Sequence, residues 1–295
     1  MSSLKGKDPK KTEPSKPKML VSGIYKVGKT WFSLGFPDVY FLDVEKGADR
    51  DHYTDRLKAN KGVYLGPEDG TLDPDFIIGQ MKALSTEKHR YKTLVIDSAT
   101  KIFNHLIARE QERLAESGRK DEFGASKKPA IAFFRRLVMW TTRLDMNVIF
   151  IAHEKAEYGV DSKGDRTEIG KTADVWEKLP YELDLWLHAT KRGPQRLLTV
   201  RGSRLLGFPE GDSFEMEYAE FAKRWGKDII EKSSTPITLA TAEQVAEINR
   251  LVELLKIDSA TTERWLEKAN AETFAEFNTS QAAKVIDSLN AKLKK

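Results

Sequence analysis

The sequence predicts an α/β fold with a mostly parallel sheet, followed by a small C-terminal helical domain. Short runs that are apolar almost throughout (19–22, 39–43, 93–97 and 147–152) alternate with longer amphipathic stretches. A strand without polar alternation is one buried on both faces, the condition of a parallel strand covered by helices. Residues 237–295 show helical periodicity instead.

Residues 1–18 form a basic tail in which Lys5, Lys7, Lys10, Lys11, Lys16 and Lys18 face only Asp8 and Glu13. Its Lys/Pro/Ser composition predicts disorder. It carries the whole excess of the +4 net charge, leaving the remainder close to neutral. Attraction to phosphates and plain solubilisation both fit such a tail. The core, 19–227, opens with strand 19–22, helix 29–34 closed by Gly35 and Pro37, and strand 39–43. A third strand at 62–65, a helix at 75–84 and strand 93–97 follow. Helices at 99–115 and 129–144 bracket the polar stretch 116–128, ahead of strand 147–152. Beyond Tyr181, segments 182–189 and 196–200 flank Lys191-Arg192-Gly193-Pro194, a hairpin signal that places antiparallel strands at the sheet edge.

Residues 228–236 are mostly polar and read as a linker. The domain 237–295 begins with Thr241-Ala242-Glu243-Gln244, a capping-box pattern. Val245, Ile248, Val252 and Leu255 then share one helical face, either this domain's own core or a docking stripe. Helices at 261–269 and 281–293 complete it, the last opened by Asn278.

Composition excludes several classes. With 40% apolar and 32% charged residues, no apolar run approaches the roughly 18 to 20 residues needed to cross a bilayer. The basic N-terminus lacks the apolar stretch of a secretory signal. The absence of cysteine removes disulfides, thiolate catalysis and cysteine-ligated zinc. The five histidines show no metal-ligand spacing, and no serine–histidine–acid set stands out. A cytoplasmic location is expected.

The most specific signal is Gly23-Ile24-Tyr25-Lys26-Val27-Gly28-Lys29-Thr30, which satisfies G-x-x-x-x-G-K-[ST] between a buried strand and a helix. Glycines let successive N–H groups turn toward phosphate oxygens, Lys29 reaches the β- and γ-phosphates of ATP, and the Thr30 hydroxyl ligates Mg²⁺. The helix that follows directs its positive end at the same anion. Such a loop needs a second acidic group for the metal. Asp97, closing Leu94-Val95-Ile96-Asp97, is the Walker-B candidate; capping the next helix is its alternative role, one that Ser98 can also fill.

These motifs and their order resemble the RecA-like P-loop ATPases. Phe41-Leu42-Asp43-Val44-Glu45 resembles the segment that carries that family's water-activating glutamate, which makes Glu45 the candidate general base; a solvated loop acid beside Lys46 is the other reading. Leu94–Ser98 resembles the Walker-B strand, serine included. Val148-Ile149-Phe150-Ile151-Ala152-His153 resembles the strand that ends, in RecA, in a glutamine sensing the γ-phosphate. Here His153 stands in its place, able to donate to phosphate but titrating near neutrality, or simply satisfied at a strand end. The resemblance also implies a flexible DNA-binding loop at 155–172, with Lys155, Lys163, Arg166, Lys171 and Tyr158, and a second at 117–128, with Arg119, Lys120, Phe123, Lys127 and Lys128. Basic and aromatic residues suit single strands, although the acids in both stretches also fit mobile surface loops. In Val200-Arg201-Gly202-Ser203-Arg204-Leu205, Arg201 and Arg204 are candidates for contacts to ATP on a neighbouring subunit, or are ordinary surface arginines; the spacing departs from the family pattern and leaves open which one serves.

Residues 19–210 thus resemble a RecA-type core without large flanking domains, as in phage-encoded, Sak-type single-strand annealing proteins, with the bacterial host's cytoplasm as the implied location. The implied function is ATP-dependent binding of single-stranded DNA for annealing or strand pairing, by a homo-oligomeric ring or filament. A single-strand-binding protein or recombination partner could dock on 237–295. The alternatives are a helicase or helicase-loader motor, and a nucleotide switch that recruits protein partners.

Overall fold

The computed structural model describes residues 14–48, 50–160 and 164–293. Ten strands and eleven helices follow one another as β1 (Lys18–Gly23), α1 (Lys29–Ser33), β2 (Val39–Asp43), α2 (Asp51–Ala59), β3 (Val63–Leu65), α3 (Pro74–Thr86), β4 (Thr93–Asp97), α4 (Ala99–Glu116), α5 (Lys127–Arg143), β5 (Asn147–Ala152), β6 (Glu154–Val160), β7 (Arg166–Ala173), α6 (Leu179–Glu182), β8 (Leu185–Arg192), β9 (Gln195–Ser203), β10 (Ser213–Glu215), α7 (Tyr218–Trp225), α8 (Lys227–Glu231), α9 (Ala242–Leu254), α10 (Ser259–Ala269) and α11 (Thr279–Leu293) among the described residues.

An eight-stranded sheet in the order β10-β9-β8-β1-β5-β4-β2-β3 forms the centre. Every pair from β8 to β3 is parallel; β8/β9 and β9/β10 are antiparallel. This is the α/β arrangement with a mostly parallel sheet that the sequence predicts, with β5 inserted between the P-loop strand β1 and the acid-bearing strand β4. The central strands β1, β4 and β5 are buried at every residue. Their alternate side chains therefore feed two separate layers. Leu20, Ile96, Val148 and Phe150 pack under α3, α4 and α5. Met19, Val21, Val95, Ile149 and Ile151 pack with Phe32 of α1, Leu57 of α2 and Phe221 of α7.

Ser98 accepts from Lys101 N and caps α4. Thr241 and Gln244 form the expected reciprocal box at α9, and Asn278 caps α11 by accepting from Gln281 N. In the helical region Ile248 and Val252 pack with Phe277, Ala282 and Trp265, so that face is turned into its own cluster. Buried Glu276 joins this region to the core, pairing with Lys82 of α3 at 3.0 Å while its carbonyl accepts from Arg143 of α5.

Several elements differ from the sequence reading. Helix α2 was not anticipated, because its composition is polar and only Leu57 is buried. Segment 155–172, expected as a flexible loop, is largely an antiparallel ribbon of β6 and β7, its chain ends joined by backbone pairing from Glu154↔Ala173 outward. Segment 228–236, expected as a linker, begins within α8, buries Ile230, and is tied by Ser234 and Thr235 to Asp145. Of the basic tail, 1–13 lie outside the described residues, but Lys16 and Lys18 belong to the fold. Lys16 Nζ donates to Asp145 O and Lys232 O, and Lys18 Nζ to Leu144 O and Met146 O. Carbonyls at a buried chain reversal need donors, and long lysine side chains supply them where no N–H reaches.

Burial lowers the pKa of Lys18 to about 7, against the opposing pull of Asp184. Below that pH the amine is charged in both states; between 7 and its ordinary 10.5 it is neutral only when folded. The folded chain then binds fewer protons than the unfolded one, so this site's contribution to stability rises with pH across that window. Urea unfolding of wild type and Lys18→Met at about pH 6 and about pH 9.5 should show the wild type gaining on the variant at the higher pH.

Candidate active site

Gly23 ends β1 against β8, and a methyl group there would lie 2.5 Å from Ala189 O. The chain must leave the sheet at that point without a side chain. It turns through Lys26 (φ 56°) and Gly28 (φ 107°) into α1. Glycine at 28 allows the left-handed conformation that caps so short a helix. Lys29 is buried, and its ammonium folds back over the loop to donate to Gly23 O and Ile24 O, both at 2.7 Å. Burial lowers its pKa, while Asp97, Glu154 and Glu45 oppose the shift. Neutral carbonyls are weaker partners for an ammonium than phosphate oxygens are.

Opposite the loop, β2 and β4 pair with Asp43 beside Asp97, so two acids reach the same level of the sheet edge. Thr30 Oγ1 donates to Asp97 Oδ2 at 2.6 Å. Of the two sequence readings for Asp97, the cap falls to Ser98, and the carboxyl faces the P-loop threonine. Burial raises its pKa to about 7; Asp43 and Glu45 add to the rise, and Thr30 and Lys29 oppose it. A hydroxyl and a buried carboxyl in contact are the hard oxygen donors that Mg²⁺ prefers, and a cation there would favour the ionised acid. Among the described residues no group of three or more His, Cys, Asp or Glu could hold a metal by itself. Thr30 and Asp97 therefore fit an ion that takes its remaining ligands from phosphates and water.

Asp43 is buried and organises the following loop, accepting from Glu45 N at 2.9 Å and Ala48 N at 3.1 Å. The chain there sends Lys46 (φ 57°) outward to Glu68 and Glu45 inward. Glu45 Oε1 accepts from Ser98 Oγ and lies 3.2 Å from His153 Nε2. The bond to His153 is the chief reason that the Glu45 pKa is lowered, with burial opposing and Ser98 assisting. The same bond raises that of His153 above its ordinary 6.5. Beneath the loop, Trp186 Nε1 donates to Ser22 Oγ at 2.8 Å, Ser22 meets His188 Nδ1 at 3.4 Å, and His188 Nε2 lies 3.5 Å from Glu154. This chain was not read from the sequence: its residues belong to three distant strands, with no spacing to link them.

The structure therefore brings together Lys29, Thr30, Asp97, Glu45 and His153. Arg201 and Arg204 lie elsewhere. Gly23 is level with Ala189 and Leu198, whereas Ser203 pairs with Leu185 at the level of Met19. About four residues, or roughly 13 Å of strand, separate Gly23 from the level of Ser203, beside Arg204. Arg201, between Val200 opposite Leu187 and Gly202 opposite Trp186, lies nearer, its guanidinium over the Trp186 ring. Arg201 donates to Lys171 O and Arg204 to Tyr181 O. Both line a cleft of about 940 Å³ between the β6–β7 ribbon and β8–β9, which Trp186, Tyr158, Lys155 and Arg166 also border.

In the ribbon, Lys155 pairs with Asp174 at 3.2 Å, Lys171 with Glu168 at 2.7 Å, and Arg166 stacks 4.3 Å from the Tyr158 ring centre. Much of the ribbon's positive charge is thus already matched. Lys163 lies outside the described residues. Lys127 and Lys128 are exposed at the start of α5, whose return into β5 puts them on the edge where β5 ends. Phe123, just before them, is fully exposed.

A strand-borne P-loop, with Asp97 two strands away and the carboxylates of Asp43 and Glu45 beside it, is the arrangement of a P-loop nucleotide-binding protein. Residues 15–208 match the family described as an AAA domain, and the chain belongs to that family. Among solved structures, the chain is similar to the crystal structure of the RadB recombinase, with 18% identity and a TM-score of 0.42 over 66% of this chain and 84% of that one. Comparison with curated proteins finds no match. Among the described residues no helix is long and apolar enough to cross a membrane.

The Glu45–His153 contact is directly measurable. In an NMR titration without nucleotide, the His153 ring should titrate above 6.5 and fall back toward that value in Glu45→Gln. An unchanged midpoint would mean that the two side chains do not meet in solution. The pair's stabilisation is present between the ordinary carboxylate and histidine values, is lost as pH rises through the raised His153 value and is lost as pH falls through the lowered Glu45 one.

Proposed function

We propose that the chain is an ATP-hydrolysing protein of the recombination type that binds single-stranded DNA and promotes annealing or strand pairing as a homo-oligomer. The observation that carries the reading is the Glu45–His153 contact. One end is the candidate base, and the other immediately precedes the ribbon. His153 Nε2 has one hydrogen to donate, to Glu45 or to a γ-phosphate oxygen, but not to both. While it donates to Glu45, the carboxylate is held as a weak base. Once His153 turns to phosphate, Glu45 regains basicity and can take a proton from the water that attacks the γ-phosphorus, as the bond to the ADP oxygen breaks.

Bound Mg²⁺ would neutralise charge on the β- and γ-oxygens, held from this chain by Thr30 and Asp97. Lys29 exchanges its two carbonyl partners for phosphate oxygens.

The ribbon and the start of α5 supply the DNA reading. Both leave the sheet at the P-loop edge. Arg166 on Tyr158, exposed Phe123, Lys127 and Lys128 combine cations with stacking faces, the means by which proteins hold single strands without reading sequence. Movement of His153 is passed to β6 through its neighbour Glu154. Arg201 and Arg204 are turned to the carbonyls of Lys171 and Tyr181 in the wall of the cleft, and on this reading they reach the ATP of a second copy seated there. A single-strand-binding or recombination partner would dock on residues 237–295, on surface that the contacts of Glu276 with the core leave uncovered.

ATP hydrolysis should rise several-fold with single-stranded DNA. Lys29→Ala should lose nucleotide binding, and Glu45→Gln should bind ATP with turnover lowered about a hundredfold or more. Hydrolysis indifferent to DNA would remove the DNA reading, and wild-type turnover in Glu45→Gln would remove the base. Arg201→Ala with Arg204→Ala should keep nucleotide affinity but lower turnover, and mixing with Glu45→Gln subunits should restore part of it, because an intact Glu45 site of one subunit then meets intact arginines of the other; no restoration would remove the trans role.

A further inference from the structure

The β8–β9 hairpin overruns the P-loop. Gly23 pairs with Ala189, yet the hairpin continues through Lys191 and Arg192, turns at Gly193 and returns with Arg196. Alternation along β9 puts Arg196 on the face of Leu198 and Val200, which pack in the same layer as Phe32 of α1. Arg196 is the residue of that face lying just past the apolar layer, so its side chain passes over the start of α1 rather than into the core. There it rests on Gly28: a methyl group at Gly28 would sit 3.4 Å from both Cδ and Nη1 of Arg196. Met216 N donates to Arg196 O at 2.9 Å and holds the strand at this point. The side chain is exposed, and among the described residues its guanidinium has neither an ion pair nor a hydrogen bond.

We propose that Arg196 binds the nucleotide's phosphates in its own chain, on the α/β side of the triphosphate. The inference rests on the P-loop being the nucleotide site. The loop backbone around Gly28 is the part of such a motif that cradles the α- and β-phosphates. A planar guanidinium with several donors lies against that backbone with no partner to give up. Its position separates it from Arg201 and Arg204, which donate to Lys171 O and Tyr181 O, and from Lys29, whose ammonium is held by Gly23 and Ile24. Packing across Gly28 also explains why a side chain at 28 would be doubly unfavourable, straining the φ of 107° and crowding the arginine.

The test measures binding of ATP, ADP and inorganic pyrophosphate to the full chain, for wild type, Arg196→Ala, Arg196→Lys and Lys29→Ala. Arg196→Ala should weaken all three ligands about tenfold or more, as expected for loss of a charged hydrogen bond. Arg196→Lys should restore part of the loss, and the salt dependence of binding should become shallower in Arg196→Ala. Because the residue is exposed, its unfolding midpoint without nucleotide should not change. Affinities within about twofold of wild type, with Lys29→Ala abolishing binding, would overturn the proposal and leave the P-loop reading intact. Weaker ATP and ADP with unchanged pyrophosphate would place the contact on the base or sugar and overturn it equally. Unimpaired binding by Lys29→Ala would instead sink the P-loop reading itself.

Discussion

The arrangement depends on burying the Asp97 carboxyl at the end of a parallel sheet. Parallel strands in register deliver their last residues to one edge, so Asp43 and Asp97 arrive side by side, and the turn after β2 adds Glu45. Burial raises the pKa of Asp97, and the neighbouring charges of Asp43 and Glu45 add to the rise. Each acid is held by its own donors: Asp97 by Thr30, Asp43 by the amides of the loop that follows it, and Glu45 by Ser98 and His153. Lys29 is the nearest cation, and its ammonium is spent on carbonyls. The site is short of positive charge, which is the electrostatic condition for recruiting a divalent ion with its phosphates.

The end of β5 is where the acidic site meets the rest of the molecule. His153 and Glu154 follow one another, and their side chains go to different partners: His153 to Glu45, Glu154 to His188 and through it to Ser22 beneath the P-loop. Immediately beyond, the chain enters the ribbon. Its two strands are paired along their length, so it can act as a lever in a way that an unpaired loop cannot. Thr100 fixes the pivot by accepting from His153 N, and the His153 carbonyl receives Asp174 N at the ribbon's return. The His153 backbone is thereby tied both to α4 and to the ribbon's return strand.

The same sheet separates two kinds of arginine. Those of β9 lie on one strand, but antiparallel pairing with β8 sends Arg196 to the P-loop edge and Arg201 and Arg204 toward the other. Sequence distance between them is small, and their surroundings are unrelated. Arg201 and Arg204 stand at a strand end where the family resemblance implies basic residues, although their spacing departs from its pattern, while Arg196, in an ordinary hairpin context, carries no local signal.

What the sequence determined by itself was the strands and the chemistry attached to their ends. Runs 39–43, 93–97 and 147–152 coincide with β2, β4 and β5, because a strand buried on both faces must be apolar throughout and has no other way to be written. The P-loop, Asp97 at its strand end, and the caps at Ser98, Thr241 and Asn278 were legible because each depends on neighbours within a few residues; Glu45 was legible only through the family resemblance, and Asp43 carried no reading. The ribbon was not, since its alternation of charged and small residues matches a loop until two such strands pair. Nor were the roles of Lys16 and Lys18, whose charge argued for a solvated tail until the carbonyls of 144–146 were placed around them. The partners of Glu45, the Ser22–His188–Glu154 chain and the seat of Arg196 on Gly28 arise only where strands distant in sequence are brought to one edge. Local propensity is written in adjacent residues, whereas a site between strands exists only through the pairing that closes the sheet.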